Sequence, residues 1–89
     1  MKLLEIIKKS TKIKTNYVSM LSGRYSKTVY KIDSDLVLST SYSTENITSG
    51  TYKGVSFKIP VEQQKNIRNT VRRRERFLHK KLTKELFGE

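Results

Sequence analysis

The stretch that decides the fold is residues 61–87, VEQQKNIRNTVRRRERFLHKKLTKELF, which contains neither glycine nor proline. Pro60 precedes it with a φ angle suited to a first helical turn, and Gly88 follows it as a typical helix end. The stretch therefore predicts one helix of about 40 Å. A domain of 89 residues has an expected diameter of only about 30 Å. Part of the helix should therefore protrude.

At 100° per residue this helix divides into an apolar stripe and a basic side. The stripe, expected to pack on the rest of the domain, consists of Ile67, Val71, Leu78, Leu82 and Leu86. The basic side consists of Lys65, Arg68, Arg72, Arg73, Arg76, Lys80 and Lys84. Arg74 falls inside the stripe, where its stem is expected to lie along the core while its charge reaches water. The alternative for Arg74 is a pair with an acid on a partner.

Positive charge is concentrated on this helix. From Lys65 to Lys84 there are nine Lys/Arg and one acid, Glu75, which places +8 of the formal net charge of +11 in twenty residues. A helix that is only solvated usually mixes charge signs through i,i+4 pairs. Like charges repel, and a polyanion relieves that repulsion. The seven residues of the basic side are therefore predicted to bind RNA phosphates, arginine as a bidentate fork and lysine as a point charge.

The remaining chain predicts a short helix and a small sheet. Residues 2–9 favour an amphipathic helix, and residues 10–22 are ambiguous between strand and helix. Strands are predicted at 24–32, 36–42 and 52–59, with a tight turn at 33–35 and a polar loop at 43–51. The predicted class is α+β, in one domain over residues 1–89. Its order is α-β-β-β-α: a short N-terminal helix, a three-stranded antiparallel meander and the long basic C-terminal helix.

Composition limits the core. Only 35% of the residues are hydrophobic and there is no cysteine, so neither a large core nor a disulfide can stabilise the fold. A homodimer through the C-terminal helix, or folding upon a partner, is the expected compensation. Glu5 interrupts the apolar N-terminal run, which is too short for a signal peptide or a membrane span. We therefore expect a cytoplasmic protein with no membrane partner.

Two weaker binding candidates accompany the basic helix. Tyr25, between Arg24 and Lys27, is a possible platform for stacking unpaired bases, although most of the five tyrosines are expected to fill the sheet core. A secondary basic patch consists of Lys8, Lys9, Lys12 and Lys14. These lysines form a groove with the C-terminal helix if the two segments meet, and otherwise are ordinary soluble surface.

Residues for catalysis are scarce. His79 is the only histidine, and the eight acids are scattered along the chain. Neither a cysteine–histidine arrangement nor a glycine-rich phosphate loop occurs in the sequence. We therefore expect no metal, no cofactor and no enzymatic activity.

Three resemblances bear on function. Gly54-Val55-Ser56-Phe57-Lys58 ahead of the last helix resembles the glycine, serine and lysine region of double-stranded RNA-binding domains, as does the predicted element order. Small size, high pI and few histidines resemble the ParE/RelE-type toxin fold, which implies a metal-free ribonuclease as an alternative. The basic composition with no alanine is similar to small early accessory proteins of T-even-type phages. Some of those are RNA-binding inhibitors of ToxIN-type endoribonuclease toxins, which implies counter-defence in an infected bacterium.

The expected function is that of a non-enzymatic RNA-binding protein, with RNA favoured over DNA. The phage-type resemblance implies a modulator or inhibitor of a host RNA-processing or toxin ribonuclease system, with a host ribonuclease as a possible protein partner. One alternative is a protein-only inhibitor or transcription adaptor whose basic helix binds an acidic protein surface. The other is the RelE-like ribonuclease.

Overall fold

The chain forms a short helix, a five-stranded antiparallel sheet and a long helix, in that order. The computed structural model describes residues 3–19, 26–42 and 45–88. In chain order the elements are α1 (Leu3–Lys8), β1 (Ile13–Ser19), β2 (Ser26–Ile32), β3 (Leu36–Thr40), β4 (Ile47–Tyr52), β5 (Val55–Lys58) and α2 (Val61–Phe87). The strands lie side by side in that same order, so β1 and β5 are the two edges. The α+β class and the long C-terminal helix are confirmed.

The predicted number of strands was wrong, since the sheet has five strands and not three. The ambiguous segment became β1, which pairs with β2 along its whole length. The predicted polar loop contains all of β4 except Tyr52, and the sequence of this strand, ITSGTY, has few apolar residues to indicate it. The turn between β4 and β5 is Lys53-Gly54, with φ values of 50° and 84°, as a two-residue hairpin turn requires. This turn lies inside the third strand predicted from the sequence, 52–59.

Gly50 lies in the middle of β4, where close packing leaves no room for a side chain. A Cβ at this position would lie 2.7 Å from Leu38 Cδ2, 2.7 Å from the Val37 carbonyl oxygen and 2.8 Å from Phe57 Cζ. Leu38 and Phe57 are the cross-strand neighbours of Gly50, and their side chains close over it. The glycine that weakens the strand signal in the sequence is therefore required by packing in the folded sheet.

Gly50→Ala is expected to lower the free energy of unfolding by about 1–3 kcal/mol, because the added methyl group overpacks the core against backbone that cannot move aside. Urea denaturation measures this change. Ser56→Ala, at an exposed position of β5, is the control and should change stability by less than about 0.5 kcal/mol. A Gly50→Ala variant as stable as the wild type would contradict the packing described for this position.

The core lies between one face of the sheet and the two helices. Its buried apolar side chains are Ile7, Tyr30, Ile32, Leu36, Leu38, Ile47, Ile59, Ile67 and Val71. Each strand alternates between this face and an open face, which carries Lys14, Asn16, Lys31, Ser39 and Ser49 among others. Both helices therefore occupy one side of the sheet. Among the described residues, neither helix is long and apolar enough to cross a membrane.

Helix α2 crosses the sheet from one edge region to the other. Arg68 contacts Asn46 just before β4, and seven residues later Glu75 accepts a hydrogen bond from the Thr15 hydroxyl in β1. Beyond this contact the helix leaves the sheet, because every residue from 79 to 87 is exposed. These nine residues, called the overhang below, are about 13 Å long, and among them Leu82 lines a groove with Lys12 and Ile13 at the start of β1.

Candidate nucleic-acid interface

Three arginines cluster on the side of α2 that points away from the sheet. Arg72, Arg73 and Arg76 line a shallow depression together with Asn69. All three arginines are exposed, whereas Ile67 and Val71 on the opposite side of the helix are buried. The helical period thus turns the apolar residues inward and brings the guanidinium groups together. Asn69 is a member of this cluster that sequence analysis missed, although its i+3 and i+4 spacing to Arg72 and Arg73 could have indicated it.

The rest of the basic side extends the arginine cluster along the helix. Lys65 lies on the N-terminal side of the cluster, and Lys80 and Lys84 lie in the overhang. All three lysines are exposed. The structure therefore presents six cations on one continuous helical surface.

Glu75 does not neutralise this surface, because its carboxylate is turned toward the sheet. It accepts a hydrogen bond from the Thr15 hydroxyl, and it is only partly exposed. Between Lys65 and Lys84 the outward side of α2 therefore carries no carboxylate. A surface with one sign of charge attracts and concentrates polyanions.

Arg68 differs from the other members of the basic side. Its Nη1 lies 3.6 Å from a Glu45 carboxylate oxygen and 3.5 Å from Asn46 Oδ1, and its side chain is only 22% exposed. These contacts hold the segment before β4 against the helix. Arg68 therefore has a structural role, and a phosphate would have to compete with Glu45 for its guanidinium.

Arg74 attaches α2 to the segment between α1 and β1. Its Nε donates to the Ser10 carbonyl oxygen at 2.9 Å, and its guanidinium lies 4.8 Å from the centre of the Phe77 ring. The charge was expected to reach water, but it is used inside the chain to bond a buried residue. The segment Ser10–Lys12 is held from the other side by Asp33, whose carboxylate accepts from the Thr11 and Lys12 N–H groups.

The pKa of Asp33 reflects this hydrogen bonding. Burial alone would raise the pKa of its carboxyl, but the bonds from Thr11 and Lys12 favour the charged form and hold the pKa below its usual value. Tyr30 shows the opposite balance, because burial, reinforced by the charge of Glu75, raises its pKa. Neither group lines the depression formed by the arginine cluster.

The secondary basic patch is divided by the fold. Lys12 lies in the groove between the start of β1 and α2, a groove that Arg74 and Lys81 also line. Lys14 points to the open face of the sheet, on the far side from the helix. Lys8 and Lys9 are exposed at the end of α1. Only part of this patch therefore adjoins α2.

Among the tyrosines, Tyr25 lies outside the described residues. Tyr30 is buried in the core and Tyr52 packs against it, whereas the other two described tyrosines are exposed. Tyr42 is partly exposed and has the Lys27 ammonium 5.4 Å from its ring centre, an aromatic–cation pair that sequence analysis did not single out. Tyr17, at the edge of the sheet, is 76% exposed.

The described residues contain no group of three histidine, aspartate or glutamate side chains placed to hold a metal ion. His79 is exposed on the overhang. Comparison of the chain with protein-family models, with curated proteins and with solved structures gives no match. A function for this chain must therefore be inferred from its own residues.

Proposed function

We propose that the protein binds RNA through the outward side of α2, without an enzymatic role. The observation that carries the proposal is the cluster of Arg72, Arg73 and Arg76 on a surface from which the one nearby acid is turned away. Guanidinium groups in this arrangement can donate paired hydrogen bonds to phosphate oxygens. Lys65, Lys80 and Lys84 add point charges along the same line.

RNA is preferred to DNA in this proposal because Asn69 lies in the arginine cluster. Its amide can bond to the 2′-hydroxyl group, which DNA lacks. In biological terms we infer a modulator that shields RNA or uses it as a scaffold to block a host ribonuclease. That role rests on the phage-type resemblance and not on the geometry of α2.

The salt dependence of RNA binding tests the proposal. If the six exposed cations each neutralise one phosphate, log K should fall against log salt with a slope of about −4 on single-stranded RNA and about −5 on a duplex. Fluorescence anisotropy with a labelled RNA, measured between low and moderate salt, gives this slope. A DNA of the same sequence, titrated in parallel, is the control for RNA preference.

The other functions predict different results in the same titration. A slope near zero would contradict phosphate binding and would favour an acidic protein surface as the partner of α2. Equal affinity for the DNA would leave nucleic-acid binding in place but remove the preference for RNA. Shortening of the RNA without added metal would instead support the ribonuclease alternative.

A further inference from the structure

The edge strand β1 and the overhang of α2 together leave an unfilled corner. β1 has β2 on one side and, among the described residues, no strand on the other. The overhang is about 13 Å long and begins beside this edge, where Leu82 lines a groove with Lys12 and Ile13, while neighbouring strands in a sheet are about 4.8 Å apart. The helix is therefore long enough to cover two further strands that a single copy of the chain does not supply.

Large apolar side chains face this corner. Leu82 and Leu86 follow Glu75 by seven and eleven residues, which places them within about 20° of Glu75 around the helix. Because Glu75 contacts Thr15, these leucines point toward the same side of the helix as β1. Leu82 is 53% exposed and Leu86 is 67% exposed. An RNA bound to the outward side of α2 would not cover them.

The outer edge of β1 has backbone groups that can pair with another strand. Asp33 N–H donates to the Lys12 carbonyl oxygen at 2.8 Å, so alternate residues onward from Lys12 bond to β2. The amide groups of Thr15 and Tyr17 consequently point outward. Unpaired edges of this kind are usually protected by charge, proline or a covering element. Here Lys14 is the one charged residue of the strand, and the side chain of Tyr17 is 76% exposed.

We propose that β1 pairs antiparallel with β1 of a second copy, beneath the two overhangs. Full overlap of the seven-residue strand centres the pairing on Asn16, so Asn16 faces its counterpart and Thr15 faces the partner's Tyr17. In this register Lys14 lies opposite the partner's Val18, and no lysine of the strand faces another directly. The outward amides of Thr15 and Tyr17 then bond to each other across the interface.

The two-fold arrangement also explains the length of α2. The two-fold axis is perpendicular to the joined sheets and passes between the two Asn16 residues. Rotation about it keeps both helices on the same side of the sheets and makes them antiparallel. Leu82 lines a groove with Ile13, which faces the partner's Ser19 in this register, so each overhang lies beside the end of the partner's β1. Both arginine clusters point away from the sheets on that same side. The dimer expected through the C-terminal helix thus gains a strand pairing, and this inference does not depend on RNA binding.

A cysteine placed at the centre of the pairing tests the register directly, because the chain has no native cysteine. Across the interface the two Asn16 residues form a non-hydrogen-bonded pair with an expected Cα separation of about 4.5 Å, within the range of a disulfide. Asn16→Cys should therefore become a covalent dimer on mild oxidation, as seen on a non-reducing gel. Ser56→Cys, on the opposite edge β5, is the matched control and should remain monomeric on that gel.

Sedimentation of the full chain tests the apolar contact. The wild type should sediment at roughly twice the 10.4 kDa of one chain, and more completely so at high salt, because salt screens the repulsion between two copies of +11. Leu82→Asp should weaken the dimer at least about tenfold. Val61→Asp, at an exposed apolar position in the first helical turn, should leave the dimer intact.

Three results would overturn the proposal: a monomeric wild type at high protein concentration, a dimer that Leu82→Asp leaves unchanged, or cross-linking at Ser56 and not at Asn16. None of these results would affect the salt slope for RNA, so failure of the dimer and failure of RNA binding can be told apart.

Discussion

Replacing both Arg72 and Arg76 with glutamate should reduce RNA affinity at least about a hundredfold at moderate salt. The double change removes two of the three guanidinium groups of the cluster and places two carboxylates beside the phosphates they would have bound. Both side chains are exposed, so circular dichroism and thermal unfolding should match the wild type. Fluorescence anisotropy measures the affinity.

A variant with the same net charge separates the surface from the overall charge. Lys14→Glu with Lys31→Glu also lowers the net charge by four, but both positions lie on the open face of the sheet, directly opposite each other on β1 and β2. This control should lose only a few-fold in affinity, through the weaker long-range field. Equal losses in the two double variants would show that total charge and not the α2 surface determines binding, and would contradict the proposed interface.

The extent of α2 and its buried side could be predicted from the sequence because several local signals agree. Pro60, Gly88 and the spacing of Ile67 and Val71 all indicate the same helix and the same buried side. The basic side follows from that assignment, since residues opposite a buried stripe must face water. Asn69 and the inward turn of Glu75 were missed, because both depend on where β1 and the neighbouring side chains lie in space.

The sheet was harder to predict because two of its strands have weak local signals. β4 combines hydroxyl residues with Gly50, and its strand conformation depends on the close packing of Leu38 and Phe57. β1 is largely exposed and lacks a buried apolar residue of its own. In both cases the strand is specified by the neighbours with which it pairs. Arg68 illustrates the same limit, because Glu45 and Asn46, which occupy its guanidinium, are distant in sequence.

Val71→Asp is expected to unfold the protein. Val71 is fully buried in the contact between α2 and the sheet, where a carboxylate would be cut off from water. Burial of this charge, together with the lost apolar contacts, should cost at least about 4 kcal/mol. A domain of this size has a total stability of only about 5–13 kcal/mol. Far-ultraviolet circular dichroism and urea denaturation should show a loss of most of the cooperative transition.

The same change further along the apolar stripe gives the matched control. Leu86→Asp places a carboxylate on the overhang, where the native leucine is already 67% exposed, so the fold of a single copy should be unaffected. Leu78 is half-buried, so the loss of stability caused by Leu78→Asp should lie between those of the two other variants. The loss of stability should therefore decrease along the apolar stripe. Near Val71 the stripe forms the core, and beyond Leu78 it forms an exposed contact surface. A Leu86→Asp variant as unstable as Val71→Asp at concentrations where the protein is monomeric would place the end of the helix back on its own sheet.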